Sequence, residues 1–380
     1  MKERKYVLGA LVACLVIVAS TLAGLAAAKP GKKEAAFKVA WIYPGPHNDG
    51  GWSQAHDAGR LAVQKALGSK VQTTYKENVF SNASVPQIVA GLVRDGYNMI
   101  FGTSFGMFEL GVNGQLADKY PNVLFEQATG TQLKKNQAEY FGAAEDTIYL
   151  SGMAAGAATK KGVIGYVVPY GIPEVVRHLN AFTLGAQATH PGAKVKIVWT
   201  NAWFSPPKET AAAKALVSAG ADVIGQNVDS PAAGVYAEKA GIPWVGYDSD
   251  AKKFAPKQWL TAAVYDWGKY YVRRVQAAIN GTWKPGFYYG SVKDGFTGLA
   301  VYGPKVSAKT KAAIAAKKQQ ILSGKWHAFC GPIYDQSGKL KIAKGKCLDP
   351  NTKAGIDALY SMQWLVKGVI GSVSHVQPPG

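Results

Sequence analysis

The sequence predicts an α/β protein of two lobes, each a parallel sheet flanked by helices. Three observations predict it. Short β-branched runs alternate with alanine-rich helical stretches along most of the chain, the pattern of consecutive βα units. Leu92-Val93-Arg94-Asp95-Gly96-Tyr97-Asn98-Met99-Ile100 resembles Leu216-Val217-Ser218-Ala219-Gly220-Ala221-Asp222-Val223-Ile224, so a helix that ends at a glycine and drops into a buried strand occurs twice. Finally, Gly45-Pro46-His47-Asn48-Asp49-Gly50-Gly51-Trp52-Ser53-Gln54 separates an apolar run from a helical pattern. A polar turn between strand and helix lies at the carboxyl edge of a parallel sheet, where open α/β folds bind ligands.

Taken in order, residues 1–6 are basic, residues 7–25 are almost wholly apolar, and Ala26-Ala27-Ala28 supplies small residues for cleavage. This reads as an export signal over 1–28 rather than a membrane anchor. Leu11-Val12-Ala13-Cys14 has the composition of a lipoprotein box, but Cys14 sits inside the apolar run instead of at its end, which disfavours lipidation. Strands are expected within 37–44, 71–79, 98–104, 123–128, 162–169, 195–203, 222–229 and 242–250, each followed by a helical stretch. In the second member of the internal repeat the strand runs out at Asp229-Ser230-Pro231, in the first at Thr103-Ser104. If the lobes face one another, both sets of tips line one cleft.

The chain carries a formal charge of +19. Lys2, Arg4, Lys5 and Glu3 leave with the leader, a net +2, so the mature chain keeps +17. Its lysines cluster at 29–38, 305–325 and 339–346 beside alanines, without the interleaved aromatics of a nucleic-acid surface. Solubility or a mild attraction to an anionic membrane surface fits better. Cys330 and Cys347 form an even pair in an exported chain and flank an Asp-x-Ser-Gly turn, so a disulfide-closed hairpin is expected. A metal site is not expected, because His-Glu-x-x-His, clustered cysteines and calcium loops are missing. No cofactor is expected either, since no dinucleotide fingerprint or P-loop follows a strand.

Gly102-Thr103-Ser104-Phe105-Gly106 has the spacing of a hydrolase nucleophile elbow. Ser104 would then need an acid and a histidine, yet His178, His190, His327 and His375 show no strand-end context; His178 reads as mid-helix, on a lobe surface or hinge face. In a binding protein the same turn offers the Ser104 hydroxyl and the Phe105 ring to a cleft.

A resemblance adds to this reading. Asn48-Asp49-Gly50-Gly51-Trp52, Tyr149-Leu150-Ser151-Gly152-Met153-Ala154-Ala155-Gly156, Pro173-Glu174-Val175, Trp199-Thr200-Asn201-Ala202-Trp203, Asp229-Ser230-Pro231 and Gly246-Tyr247-Asp248-Ser249-Asp250 occur in order. Together they resemble the basic membrane protein family of ABC-transporter substrate-binding proteins, which includes purine nucleoside receptors. The resemblance implies a type I periplasmic-binding-protein fold, two Rossmann-like lobes with three crossovers near 141–145, 260–266 and 295–301. It implies a first lobe over 37–143 plus about 266–300 and a second over 144–265 plus about 301–371. Residues 29–36 are then a flexible N-terminus and 372–380 a tail.

The resemblance also implies that Trp52 and Trp203 stand where two aromatic rings sandwich a purine, and that Asp248 holds ligand polar atoms. Asn48, Asp49, Glu126 and Asp229 sit at comparable strand ends, where helix capping is as plausible a task as ligand contact. Lys293 falls in the region that meets ribose in nucleoside binders. A free nucleobase such as adenine is the first expectation and a nucleoside the second, with an amide or a sugar still open. The implied partner is a membrane permease, the implied location the periplasm, and a monomer is expected.

Overall fold

The structure, a computed structural model, describes residues 35–80 and 82–378. The export signal and Cys14 lie outside the described residues. Two parallel sheets dominate. The first contains β1 (Phe37–Ile42), β2 (Val71–Lys76), β3 (Met99–Gly102), β4 (Leu124–Ala128) and β5 (Gln137–Gly142) in the order β5-β4-β3-β1-β2. The second contains β6 (Val163–Val168), β7 (Lys194–Trp199), β8 (Val223–Gln226), β9 (Trp244–Asp248) and β10 (Trp259–Tyr265) in the order β10-β9-β8-β6-β7. The two orders are the same 2-1-3-4-5 winding, so each sheet has one switch point beside its first strand, at β1/β3 and at β6/β8.

The helices on the path are α1 (Trp52–Leu67), α2 (Val85–Arg94), the one-turn α3 (Leu116–Lys119), α4 (Glu145–Ala158), α5 (Pro173–Thr189), α6 (Pro206–Ser218), α7 (Ala232–Ala240) and α8 (Trp267–Ile279). Proline in the first turn opens α2, α5 and α6, where its missing N–H costs nothing. The central strands are buried on both faces, β3, β4 and β8 almost completely, as sheets covered by helices require.

The internal similarity is geometric. Tyr97 N–H donates to Leu92 and Gly96 N–H to Val93; Ala221 N–H donates to Leu216 and Gly220 N–H to Val217. Both glycines have positive φ, 82° and 96°, and close the same helix-ending motif. The next residue then enters its sheet alike, Asn98 N–H to Lys38 and Asp222 N–H to Val163.

The chain crosses between sheets three times. It passes from β5 to α4, from β10 to α8, and from β11 (Phe287–Gly290), which extends the first sheet beside β5, to β12 (Thr297–Leu299), which pairs antiparallel with β10. Residues 297–299, placed by sequence in the first lobe, therefore hydrogen-bond to the second sheet. Helices α4 and α5 pack so closely that a Cβ on Gly152 would lie 3.0 Å from the Phe182 carbonyl carbon, and one on Gly185 2.8 Å from that of Tyr149. This contact explains the glycines of the Tyr149–Gly156 stretch.

The last segment comprises α9 (Ala308–Leu322), a hairpin of β13 (Ile333–Tyr334) and β14 (Leu340–Ile342), α10 (Lys353–Tyr360) and β15 (Val369–Ile370), which adds to β7. Cys330 and Cys347 are disulfide-bonded at the base of the hairpin. Residues 372–378, expected as a tail, are held: the Ser372 carbonyl accepts from Trp199 Nε1 at 2.9 Å and Ser374 Oγ bonds Asn201. Among the described residues no helix is long and apolar enough to cross a membrane.

Candidate functional site

The carboxyl ends of both sheets meet. Around a narrow cavity stand Trp52 after β1, Ser104 and Phe105 after β3, Thr129 after β4, Glu174 after β6, Trp203 after β7, Asp229 after β8, and Tyr247 of β9. Four follow strands of the first sheet and four belong to the second, so the cavity is an interlobe site at two switch points. A wider space continues from it past Ser104, Phe105 and Trp203 to Tyr170, Ala202 and Phe204.

The lobes touch beside the cavity. Ser249 Oγ donates to the Gly50 carbonyl at 2.7 Å, and Gly51 abuts the backbone of Asp229 so tightly that a Cβ would lie 2.8 Å from its carbonyl carbon and closer still to the oxygen. Only glycine fits there. The polar turn read from sequence is thus the jaw of the first lobe against the strand tips of the second.

Each aromatic is set differently. Trp52 is 6 % exposed, donates Nε1–H to the Thr103 carbonyl at 2.6 Å, and meets His56, Tyr265 and Trp267 edge-on. It is a core residue that also walls the cavity. Trp203 is half-buried, contacts Tyr170 edge-on at 5.3 Å, and its carbonyl accepts from the Asp229 amide at 3.0 Å, which ties the two strand tips together. Phe105 is half-buried on the first-lobe side.

Carboxyl groups form the polar side. Asp229 is buried; loss of water, and then the Asp49, Glu209 and Glu174 charges, hold its pKa well above the usual carboxylate range. Burial pushes Glu174 up to about 7, with Arg177 opposing. Next to Tyr247 along β9 is Asp248, fully buried with a φ of 69° and both carboxyl oxygens without a partner. Its pKa is raised by burial and then by Asp229. A left-handed non-glycine residue with an unsatisfied buried carboxyl is the kind of strain that collects at binding sites. His178 stands in the same region. Of the lobe surface and the hinge face that the sequence leaves open, its burial rules out the surface, and its Nδ1 lies 3.4 Å from both Asn227 Nδ2 and the Tyr247 hydroxyl. Tyr247 and Tyr265 share a hydroxyl hydrogen bond of 2.8 Å.

Of the residues singled out in sequence, Trp52, Ser104, Phe105, Trp203 and Asp229 line the cavity, whereas Asp248 is fully buried and is not part of its wall. The others have different tasks. Asp49 accepts from the amides of Gly51, Ser53 and Gln54 at 2.9 to 3.0 Å, so it caps α1. Glu126 is saturated by Tyr270, Arg274 and Trp283 at 2.5 to 2.7 Å and braces β4 to α8 and the loop beyond it. Asn48 and Lys293 are exposed and do not line the cavity. Sequence reasoning missed Thr129, Glu174 and Tyr247 as lining residues. Two of these lie in the quoted stretches Pro173-Glu174-Val175 and Gly246-Tyr247-Asp248; Thr129, left-handed at φ 60°, carries no sequence signal.

The arrangement offers aromatic side chains from both lobes and carboxyl oxygens that can accept from N–H or O–H groups. It lacks the parts of a serine hydrolase at Ser104: β3 runs into turns rather than a helix, the next α-helix begins at Leu116, and His178 is engaged with Asn227 and Tyr247. Among the described residues no group of three or more His, Cys, Asp or Glu side chains is placed to hold a metal ion.

The profile of the Bmp family, described as ABC transporter substrate-binding protein PnrA-like, matches residues 36–326. The chain belongs to this family. A purine-binding protein of Brucella abortus is 38 % identical over 341 residues, 90 % of this chain and 97 % of that one. A Haloferax volcanii protein, provisionally named an ABC transporter glucose-binding protein, is 36 % identical over 297 residues, 78 % of this chain and 75 % of its own. An ABC transporter solute-binding protein structure from Conexibacter woesei superposes with a TM-score of 0.63 at 21 % identity, over 77 % of this chain and 98 % of that one. The fold is the type I periplasmic-binding-protein fold of this Bmp-family chain, and the family works as substrate-binding components of ABC transporters.

Proposed function

We propose that this chain captures a purine base in the interlobe cavity and hands it to a membrane permease. The carrying observation is the composition of the cavity wall: Trp52 and Phe105 from one lobe, Trp203 from the other, and the carboxyl groups of Asp229 and Glu174 at the polar side. Stacking on protein aromatics is worth about 1–3 kcal/mol per base, and carboxyl groups pair with ring and exocyclic N–H groups. Asp248 supplies a further acceptor if Tyr247 yields to the ligand. Similarity to the Brucella purine-binding protein supports a purine as the ligand class, and a free base such as adenine is the first candidate before a nucleoside.

The protein then works as an exported monomer in the periplasm. Closing brings Gly50 and Gly51 onto Asp229 and Ser249, so a ligand bridging the lobes favours the closed state. No bond is made or broken.

A second reading has its own support. Rings and carboxyl groups also suit a hexose, and one relative is named for glucose. A thermal-shift screen of unfolded and refolded protein separates the two. Stabilisation by about 3 kcal/mol at a hundredfold excess over Kd, seen with adenine or another base and absent with hexoses, supports the purine reading. Stabilisation by a hexose alone overturns it.

A further inference from the structure

We infer that the disulfide-closed hairpin is a docking surface for an anionic phospholipid bilayer, separate from the ligand cavity and from the region matched by the family. The family match ends at residue 326, and the hairpin follows it. Over residues 301–346 the chain carries ten lysines and a single acidic residue, Asp335. That aspartate is turned inward on its own loop, accepting from Ser337 N–H, Ser337 Oγ and Lys339 N–H. The field at the surface is therefore set by lysine.

The hairpin is two-faced. Ile333 and Ile342 are cross-strand partners and only 4 % and 6 % exposed, whereas Tyr334 and Leu340, the next pair, are 44 % and 47 % exposed. Lys339, Lys341, Lys344 and Lys346 belong to the same disulfide-closed segment and are all exposed, Lys341 leaning over the Trp364 ring at 5.2 Å. An amphipathic tyrosine paired with a leucine, in a segment with four exposed lysines, has the chemistry of the headgroup boundary.

The base is rigid. Besides the disulfide, His327 sits between Asp146 at 2.8 Å and Asp349 at 3.4 Å, the Ala328 amide bonds Asp146 at 2.7 Å, and Gln336 Nε2 bonds the Val369 and Gly371 carbonyls. The lysines are thus presented in a fixed array, which favours a broad charged plane. Held at such a plane, the receptor searches for its permease in two dimensions.

The test is sedimentation of the folded protein with vesicles of phosphatidylcholine, with and without phosphatidylglycerol. Binding is expected only with phosphatidylglycerol and should weaken as salt is raised. Attraction of roughly fivefold in partitioning per lysine means that K339E/K341E/K344E/K346E loses at least a hundredfold. A control with the same net charge, K65E/K70E/K208E/K214E, reverses exposed lysines elsewhere and should retain most binding. Tyr334→Ser/Leu340→Ser leaves the charge intact and should lower the salt-resistant part of binding. Unchanged ligand affinity and melting temperature establish that each variant is folded. Equal loss in both charge variants, or no binding to phosphatidylglycerol vesicles, overturns the inference; in the second case the lysine face belongs to an acidic protein partner.

Discussion

Replacing Gly51 by alanine should disable the clamp without unfolding it. In the closed arrangement the new Cβ would lie 2.8 Å from the Asp229 carbonyl carbon and closer to its oxygen, where ordinary contact begins near 3.4 Å. The obstacle is backbone on a strand tip, tied through the Asp229 amide to the Trp203 carbonyl, so it cannot swing aside as a side chain would. Overpacking of this kind costs about 1–3 kcal/mol, but only when the lobes meet. Ligand affinity should therefore fall about 5- to 150-fold, while the ligand-free melting temperature changes by no more than a cap substitution causes. Gly91→Ala is the control, because its Cβ meets only the tip of Arg94 at 3.8 Å. Calorimetric titration with adenine, paired with thermal unfolding of the free protein, reads both quantities. Wild-type affinity in Gly51→Ala would mean that the liganded state does not contain the Gly51–Asp229 contact.

Trp203→Ala should weaken purine binding about 5- to 150-fold at nearly unchanged stability, measured by titration and melting; Trp52→Ala should lose both, because Trp52 is also core and truncating a buried tryptophan costs about 3–5 kcal/mol. Arg177, Glu145 and Tyr289 join the second lobe, the first crossover and the first lobe, with Arg177 Nε on Glu145 Oε1 at 2.6 Å and the Tyr289 hydroxyl on the same oxygen; Glu145→Ala strands a buried guanidinium and should cost about 3–5 kcal/mol in denaturant unfolding. Stability of the ligand-free protein should fall from mildly acid to alkaline pH. Burial, partly offset by hydrogen bonds from Ser230 and Ser205, pushes Glu209 up from 4.5 to about 7. Burial opposes the charge on His327, yet the Asp146 carboxylate outweighs it and raises that pKa above 6.5. Both folded values exceed the unfolded ones, so each contribution is complete below the unfolded pKa and lost as pH rises through the folded one. Melting scans should show the decline, and Glu209→Gln should flatten it between about pH 5 and 7; stability rising with pH across that window would contradict it.

Much of the fold was legible because βα grammar is local. All eight strands expected from β-branched runs are present, and the helix-ending glycines Gly96 and Gly220 recur with identical hydrogen bonds. Strand β5 was harder to read. Its Gln137 and Glu139 are buried by bonding each other at 2.8 Å, so no apolar run marks it. The site was legible where a strand tip carries an aromatic, as at Trp52 and Trp203. It was not legible where two tasks share one residue type. Asp49 and Asp229 are both tip carboxylates, but three backbone amides saturate the first. Glu126 looks like a third until Tyr270 and Arg274, about 145 residues along the chain, fold onto it. Pairings of that range are set by tertiary packing and leave no mark within a motif.

The most direct test of the account is calorimetric titration of refolded, ligand-stripped protein with adenine, its nucleoside and glucose, each against wild type and Trp203→Ala. A purine-base receptor should give a tight 1:1 isotherm with the base, weaker binding of the nucleoside, none of glucose, and strong loss of the base response in Trp203→Ala. A glucose isotherm without a purine one, or purine binding indifferent to Trp203, would contradict it.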